Sequence, residues 1–239
     1  MSVLSELAPT GVLRAGINLS NFLLVTGKSA TADPIGVAPD MAKEIAAKLG
    51  VPVVYVPFKT PGVLADAVAD NVWDIGLIGA EPARAEKITF TAAYVEIEAT
   101  YLVPPGSPIK SIADVDKPGV RIAVSARSAY DLWLVRNIKH ATLVQTEGLG
   151  GAFNKFVDDK LDALAGLRPG LLGDVEKLPG GKILDGKFTA VQQAVGTPKA
   201  NNAGAKFLSD FVEEAKKSGL VAKLIERHRV VGLSVAPPA

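Results

Sequence analysis

Short apolar runs alternate with amphipathic stretches along this chain, and that order constrains its fold more than any other feature. Residues 12–17, 51–58 and 75–78 have the length and the β-branched content of buried strands. Residues 39–49 and 63–69, which lie between them, have the apolar spacing of amphipathic helices. A β-α-β-α-β order predicts a parallel sheet covered by helices, so the expected fold class is α/β.

The same order begins again after the turn-rich sequence Pro104-Pro105-Gly106. Strands are predicted at residues 120–124, 141–145 and 161–167, with helices at residues 128–138 and 151–157 between them. An extended run at residues 188–195 precedes two amphipathic helices, at residues 202–217 and 220–229. A second α/β lobe is therefore expected.

Charge and composition exclude several kinds of partner. The chain carries 26 basic and 25 acidic side chains, so it has no excess of positive charge to attract nucleic acid or an anionic membrane. It has no cysteine, and its two histidines, His140 and His228, have no second metal ligand at helical spacing. No apolar run approaches the length of about 20 residues that spans a bilayer. We expect a small-molecule partner, no metal site and no cofactor.

The segment WDIGLIGAEPARAEKITFTAAY, residues 73–94, holds the strongest candidate for a binding side chain. A short apolar strand leads into Gly79 and Ala80, and a helical turn then presents Arg84. A guanidinium is a planar fork of donors that binds a carboxylate through two parallel hydrogen bonds, which an ammonium cannot do. Arg84 is therefore predicted to bind an anionic group. The alternative is a surface arginine paired with a neighbouring glutamate such as Glu81.

Several stretches together resemble family 3 of the solute-binding proteins, the polar amino-acid type that serves ABC importers. They include GVLRAGI near the start, then WDIGLIG and SIADVDKPGVRIAV, and FLSDFVEEAKKSGLVAKLIERH near the end. The resemblance implies a type II periplasmic-binding-protein fold, in which two α/β lobes joined by two hinge strands close a cleft over the solute. Lobe one would comprise residues 1–103 and 197–239, and lobe two residues 104–196.

The resemblance also assigns residues of lobe one to the solute. Glu81-Pro82-Ala83-Arg84 matches a family element that ends in an arginine, and that arginine pairs with the solute carboxylate. Gly79, Ala80 and Glu81 are predicted to line the same site. Asn18 and Phe22 lie in the loop after the first strand, where family members place a polar or aromatic residue against the solute; a structural role in the loop is the alternative.

A second contact is predicted where a helix opens at Ser128, because free backbone N–H groups and the helix dipole favour an anion there. The corresponding family loop reads Gly-Thr-Thr, so Ser128 keeps a hydroxyl, whereas Arg127 replaces a glycine and adds a positive charge. Tyr130 follows on the same helix. We predict that all three residues contact the solute. The alternatives are a plain N-cap for Ser128, a solvent-facing side chain for Arg127 and a core-facing side chain for Tyr130.

The end of the strand at residues 161–167 departs from the family pattern. Amino-acid binders place an acid there that pairs with the solute ammonium, but this chain has Leu167 followed by Arg168. An ammonium buried without a counterion is strongly disfavoured. Either Glu81 supplies the missing negative charge, or the solute has no amine and its second acidic group meets Arg168 or Arg127. We favour the second interpretation, although Arg168 facing solvent is an equal alternative.

The expected function is that of a monomeric solute-binding protein of an ABC importer, which captures a small amino acid or organic acid and presents it to a permease. An enzymatic alternative is a cyclohexadienyl-dehydratase-like lyase with Asp131 as general acid, and a sensor domain is a third. The first residues lack a basic n-region and an apolar h-region. Either a signal peptide is missing from this chain and the protein is periplasmic, which we favour, or it is cytoplasmic.

Overall fold

The computed structural model describes residues 2–239. The chain divides into two compact units: unit 1 combines the residues up to Glu96 with Gln192–Ala239, and unit 2 is formed by Ile97–Val191. Both units contain strands and helices, so the predicted α/β class is confirmed. The residues at which the predicted lobes begin and end stay a prediction.

Strands of both units contribute buried side chains to the cores. Thirteen are defined within the described residues: β1 (Leu13–Asn18), β2 (Gly27–Lys28), β3 (Pro34–Ile35), β4 (Val53–Phe58), β5 (Ile75–Gly79), β6 (Ile88–Phe90), β7 (Val95–Val103), β8 (Arg121–Ser125), β9 (Thr142–Thr146), β10 (Ala163–Leu167), β11 (Lys182–Ile183), β12 (Thr189–Pro198) and β13 (Ser234–Val235).

One helix precedes β1, and the others lie between strands. Residues 2–239 contain nine α-helices: α1 (Val3–Leu7), α2 (Val37–Leu49), α3 (Pro61–Asp66), α4 (Pro82–Ala85), α5 (Ala129–Asn137), α6 (Gly148–Asp158), α7 (Arg168–Glu176), α8 (Asn202–Lys217) and α9 (Leu220–Arg227). Short 3₁₀ helices cover Ala67–Asp70 and Ile112–Asp114. Among the described residues, no helix is both long enough and apolar enough to cross a membrane.

The sheet of unit 1 is parallel at its centre. β1 lies between β4 and β5 and runs parallel to both, whereas β12 pairs antiparallel with β5 and with β6. Ile17 of β1 is opposite Leu77 of β5, so the carboxyl ends of these two strands lie at the same edge of the sheet. The segments that follow Asn18 and Gly79 therefore start side by side.

The two faces of this sheet are packed by different side chains. Alternate residues of β1 and β5 pack with apolar residues of α2, α8 and α9 in one buried cluster. On the other face, Leu64 and Trp73 lie over two glycines of these strands. A Cβ on Gly76 would lie 2.9 Å from Leu64 Cδ2, and one on Gly16 would lie 3.3 Å from the Trp73 ring. The glycines thus let large side chains approach the sheet closely.

The N-terminus of α8 is capped by a side chain from α1. The preceding residue, Asn201, makes no side-chain capping bond to α8. Instead, Oε2 of the buried Glu6 accepts the N–H of Gly204 at 2.7 Å, and the Glu6 carbonyl oxygen accepts a bond from the Asn201 side chain at 3.1 Å. Glu6 therefore satisfies one of the N–H groups that the first turn of a helix leaves without a partner.

The strands of unit 2 follow one another in the order β7-β10-β8-β9. β8 runs parallel to β9 and β10, and β7 runs antiparallel to β10. Ile122 and Val124 of β8 pack in one cluster with Leu134 of α5, whereas Ala123 packs in another with Phe156 of α6. This alternation shows that helices cover both faces of the sheet, as a parallel arrangement requires.

Candidate functional site

In unit 1, the predicted site residues lie at the edge where β1 and β5 end. Ligands of open α/β sheets commonly bind at the carboxyl ends of the strands. Asn18 is the last residue of β1 and Gly79 is the last residue of β5. Ala80 continues from Gly79, with its N–H bound to the Gln192 carbonyl at 2.7 Å. This edge is therefore the candidate site of unit 1.

The side chain of Arg84 is held at this edge by a backbone carbonyl at the end of β5. Glu81 precedes the single turn of α4, whose first residue, Pro82, has the fixed φ that a helix start requires. The turn directs Arg84 back toward β5, where its Nη1 donates a hydrogen bond to the Gly79 carbonyl at 2.7 Å. Arg84 is only 6% exposed. The guanidinium is therefore buried rather than exposed to solvent, and its contact with a solute stays a prediction.

A cavity of about 460 Å³ opens beside α4. Its volume lies within the range of small-molecule pockets. Ala80 and Glu81 line it, both partly buried, whereas Arg84 does not. The remaining lining residues were not predicted from the sequence and come from α4 and β6: Pro82, Ala85, Ile88, Thr89 and Phe90.

The two candidate residues of the loop after β1, Asn18 and Phe22, have different surroundings. The Asn18 side-chain oxygen accepts bonds from the Ser20 N–H at 3.1 Å and the Ser20 hydroxyl at 2.7 Å, which is a local turn contact. The buried Asn21 accepts the N–H groups of the next turn in the same manner. Phe22, between these turns, leaves 44% of its surface exposed. Asn18 thus serves the loop, and Phe22 offers an aromatic surface.

In unit 2, the predicted helix start is present at the end of β8. Ser128 is the N-cap of α5, and its hydroxyl accepts the Asp131 N–H at 3.1 Å. Its side chain is therefore a cap, as the alternative stated, although the residue is buried. Arg127 is exposed and has φ +60°, a left-handed backbone that only glycine adopts without cost.

Tyr130 lies in the first turn of α5 and is almost completely buried. Burial raises the pKa of Tyr130 to about 12, and the negative charges of Asp131 and Asp174 act in the same direction, although hydrogen bonding with Ser128 lowers it. The phenol is therefore neutral at physiological pH. It is a packed side chain with a polar end rather than a charged contact.

Asp131 accepts several hydrogen bonds from the protein. Its Oδ2 accepts the Arg127 N–H at 2.7 Å, and Nε2 of Gln145 lies 2.8 Å from Oδ1 and 2.9 Å from Oδ2. A left-handed conformation costs a non-glycine residue roughly 1–2 kcal/mol. A hydrogen bond to a charged group contributes roughly 1.5–3 kcal/mol. The free energy of the hydrogen bond to Asp131 is thus large enough to offset the cost of the left-handed conformation of Arg127.

Arg168 begins α7 directly after Leu167, the last residue of β10. Its Nε donates to Glu98 of β7 at 3.1 Å, and its Nη2 bonds the carbonyls of Leu184 and Gly186. Arg168 therefore ties three segments of unit 2 together. The expectation that it meets the solute stays a prediction.

The predicted residues thus form one group in each unit. Unit 1 brings together Asn18, Phe22, Gly79, Ala80, Glu81 and Arg84, and unit 2 holds Arg127, Ser128, Tyr130 and Arg168. Their assignment to a solute stays a prediction. Sequence reasoning missed Gln145, whose place near the start of α5 follows only from the observed parallel register of β8 and β9. Within the described residues, no group of three or more His, Cys, Asp or Glu side chains is arranged to hold a metal ion.

Comparison with known families gives the wider context of these two units. The model of the family described as bacterial extracellular solute-binding proteins, family 3, matches residues 21–230. This match confirms the resemblance found in the sequence. A search of curated proteins found no significant match.

Solved structures give similarities over nearly the whole chain. The ancestral amino acid-binding protein AncCDT-1, described as a precursor of cyclohexadienyl dehydratase, is 25% identical, with a TM-score of 0.74 over 95% of this chain and 99% of that one. A mutant of ArgBP from T. maritima is 22% identical, with a TM-score of 0.75 over 95% and 99% of the two chains. The cysteine-binding protein from Campylobacter jejuni is 19% identical, with a TM-score of 0.76 over 95% and 93%. These similarities confirm the expected type II fold of two α/β lobes.

Proposed function

This chain belongs to family 3 of the bacterial extracellular solute-binding proteins, and from that premise we propose that it captures a small carboxylate-bearing solute for an ABC importer. The solute is an amino acid or an organic acid. Residues of both units contact it, with Arg84 as the principal anchor of its carboxylate.

The observation that carries this proposal is the setting of Arg84. Its guanidinium is buried at the carboxyl end of β5 and is fixed by the Gly79 carbonyl at 2.7 Å. A positive charge with little water around it favours an anion more strongly than an exposed one does, because solvent screening is weaker. The planar shape of the group matches a carboxylate.

The surroundings of the unit 2 residues favour a solute without an amine. An ammonium needs an acceptor with negative charge, and two acids beside the predicted contacts of unit 2 are engaged by the protein. Asp131 accepts bonds from Gln145 and Arg127, and Glu98 pairs with Arg168 and Lys187. Leu167, at the end of β10, has an apolar side chain. We therefore propose a simple mono- or dicarboxylate ahead of an amino acid.

The cellular role follows from the family rather than from any one residue. We propose that the protein works as a monomer in the periplasm and delivers its solute to an ABC permease. The name of the family places its members outside the cell. Fractionation of the native organism with an antibody against this chain would test the compartment, and recovery in the cytoplasm would contradict it.

We propose that the protein is not an enzyme, although AncCDT-1 is described as a precursor of a dehydratase. Asp131, the candidate general acid, is 1% exposed, and both of its oxygens accept hydrogen bonds. To deliver a proton to a leaving hydroxyl, Asp131 would have to release these donors. A general acid must instead lie within hydrogen-bond reach of the group that it protonates.

Two measurements test the proposal. Mass spectrometry of small molecules released from the purified, denatured protein would identify a bound solute. A thermal-shift panel of L-arginine, L-glutamine, L-cysteine, succinate, malate and citrate would then rank the classes. A ligand at about a hundred times its Kd adds roughly 2.7 kcal/mol to the free energy of unfolding. We expect the carboxylates without an amine to give the larger shifts.

The same panel can also contradict the proposal. Larger shifts with amino acids would reject the preference for carboxylates but keep the binding role. Prephenate and arogenate are added to this panel, and their products are measured. Turnover that disappears in Asp131→Asn would show that the protein is a lyase rather than a binding protein. No shift with any compound and no co-purified molecule would reject the proposal as a whole.

A further inference from the structure

The turn between β8 and α5 has a backbone that needs support. Arg127 is in the left-handed region at φ +60° and is not a glycine, so the isolated segment would favour other conformations. β8 ends at Ser125, and the N–H of Ala126 still bonds the Thr146 carbonyl of β9 at 2.8 Å. After Ala126 the turn leaves the sheet. From that point, only contacts specific to this turn can fix its conformation.

Asp131 supplies such a contact from inside the helix. Its Oδ2 accepts the N–H of Arg127 at 2.7 Å, while its own N–H donates to the Ser128 hydroxyl at 3.1 Å. One residue in the first turn of α5 thus bonds both Arg127 and Ser128. Because the carboxylate is almost completely buried, few water molecules compete for these bonds.

Gln145 fixes the carboxylate in turn. It stands on β9 opposite Val124 of β8, close to the point where the turn begins. Its Nε2 lies within 2.9 Å of both Asp131 oxygens, so the amide restrains rotation of the carboxylate. Gln145 is exposed, and neither of the two apolar clusters of unit 2 includes it. Its contact with Asp131 is therefore better explained by the turn than by packing of the core.

We infer that Asp131 and Gln145 are positioning residues, which hold the Ser125–Ser128 turn in the conformation that the proposed solute contact requires. The inference rests on the proposed function, since that function places Arg127 and Ser128 against the solute. Asp131 acts through the backbone of Arg127, and Gln145 acts through Asp131. Neither residue is required to touch the solute itself.

The first arm of the test measures the turn without any solute. Hydrogen exchange of the Arg127 amide, followed by NMR, should become about tenfold faster or more in Asp131→Ala and in Gln145→Glu. Gln145→Glu keeps the size of the side chain but replaces its donor by a second negative charge. Asp131→Asn, which retains one acceptor oxygen, should give an intermediate rate. Unchanged protection of Arg127 in both of the first two variants would overturn the inference.

Asp162→Ala is the matched control. Asp162 also accepts a backbone N–H of β8, that of Arg121 at 2.8 Å, but at the opposite end of the strand. This variant should expose the Arg121 amide to exchange and leave the Arg127 amide and solute affinity unchanged. A loss of affinity in Asp162→Ala equal to that in Asp131→Ala would show a general effect on stability and would also overturn the inference.

The second arm measures the affinity for L-arginine, L-glutamine and succinate by calorimetry. For any of these that binds the native chain, Asp131→Ala and Gln145→Glu should each weaken binding by about tenfold. Arg127→Gly removes the backbone strain, so Asp131→Ala should cost less affinity in that background, a coupling that a double-mutant cycle reveals. Unchanged affinity, or no coupling, would overturn the inference. If none of the three binds, the full panel and the co-purified molecules decide the proposed function separately, and amide exchange still decides whether the pair positions the turn.

Discussion

Among single residues, Arg84 joins two properties that surface arginines lack. It is 6% exposed, and its guanidinium bonds the carbonyl that ends β5. Arg84→Lys keeps the positive charge but loses the planar fork, so we expect the Kd for a bound carboxylate to rise by about tenfold to a hundredfold. Arg84→Ala, which removes the charge as well, should weaken binding further. Calorimetry with the identified solute measures both.

The control for this prediction is Arg121→Lys. Arg121 forms an exposed pair with Asp162, where a lysine should serve nearly as well. Its replacement should leave solute affinity unchanged. If Arg84→Lys binds the solute as tightly as the native chain does, the guanidinium of Arg84 does not bind the carboxylate through two hydrogen bonds.

Residue-level prediction from the sequence succeeded where chemistry is local and failed where it depends on distant partners. Ser128 was recognised as a helix start because a hydroxyl before a helical run is a local signal. Arg168 was located correctly at the end of β10, but its partner Glu98 lies on β7 and its other acceptors near β11. No spacing in the sequence indicates that pairing. Gln145 was missed for the same reason.

At the scale of elements, the cap of α8 by Glu6 is a contact between two helices far apart in sequence. Glu6→Gln removes the negative charge that interacts with the helix N-terminus, although the amide oxygen can still accept the Gly204 N–H. We expect a loss of about 0.5–1 kcal/mol in the free energy of unfolding, measured by urea denaturation. Glu86→Gln, at an exposed position, should change it little. Equal effects of the two variants would show that the cap contributes nothing.

Two helical glycines form a matched pair for a second test. A Cβ on Gly204 of α8 would lie 2.7 Å from Leu7 Cδ2 and 2.9 Å from Leu7 Cγ, whereas one on Gly173 of α7 would have no neighbour within 4 Å. Gly173→Ala should stabilise the protein by up to about 1 kcal/mol, because alanine is the better helix former. Gly204→Ala should destabilise it by about 1–3 kcal/mol through overpacking. Similar shifts in the two urea midpoints would contradict this packing of α1 on α8.

Most of the longer elements were predictable because the spacing of their apolar residues along the sequence indicates which side chains are buried. α2, β5, β8 and α8 fall close to the predicted ranges. Apart from the helical turn of α4, the shortest elements were not predicted. β6 has three residues and owes its definition to pairing with Gly196–Pro198 of β12, and α1 has only five residues. Such elements depend on tertiary contacts, so local periodicity gives no signal for them.

For the whole molecule, the tyrosines contribute to the response to alkaline pH. The chain has four, Tyr55, Tyr94, Tyr101 and Tyr130. Burial raises the pKa of every one above its usual value near 10, to about 12 for Tyr55 and Tyr130. A phenol with a raised pKa binds its proton more tightly in the folded state. Its contribution is therefore complete below pH 10 and is lost as the pH rises from 10 toward 12.

We expect stability to fall through this range by about 1.4 kcal/mol per pH unit for a phenol as buried as Tyr130. Urea denaturation at a series of pH values measures the slope, and Tyr130→Phe should reduce it. In the native protein, tyrosinate absorbance should be nearly absent at pH 10 and should appear together with unfolding. Half-titration of native tyrosines at pH 10 would contradict the burial described here.

The discontinuity of unit 1 also determines the order in which the chain can fold as it is made. Unit 2 comes from one uninterrupted stretch, Ile97–Val191, whereas unit 1 needs residues on both sides of it. β12, which pairs with β5 along Gln193–Gly196, and the helices α8 and α9 leave the ribosome only after unit 2 is complete. Domains usually fold in the order of their synthesis. Here the middle of the chain is ready first, and the apolar faces of β1, β5 and α2 stay uncovered longest, so a chaperone that binds the nascent chain would find its site in unit 1.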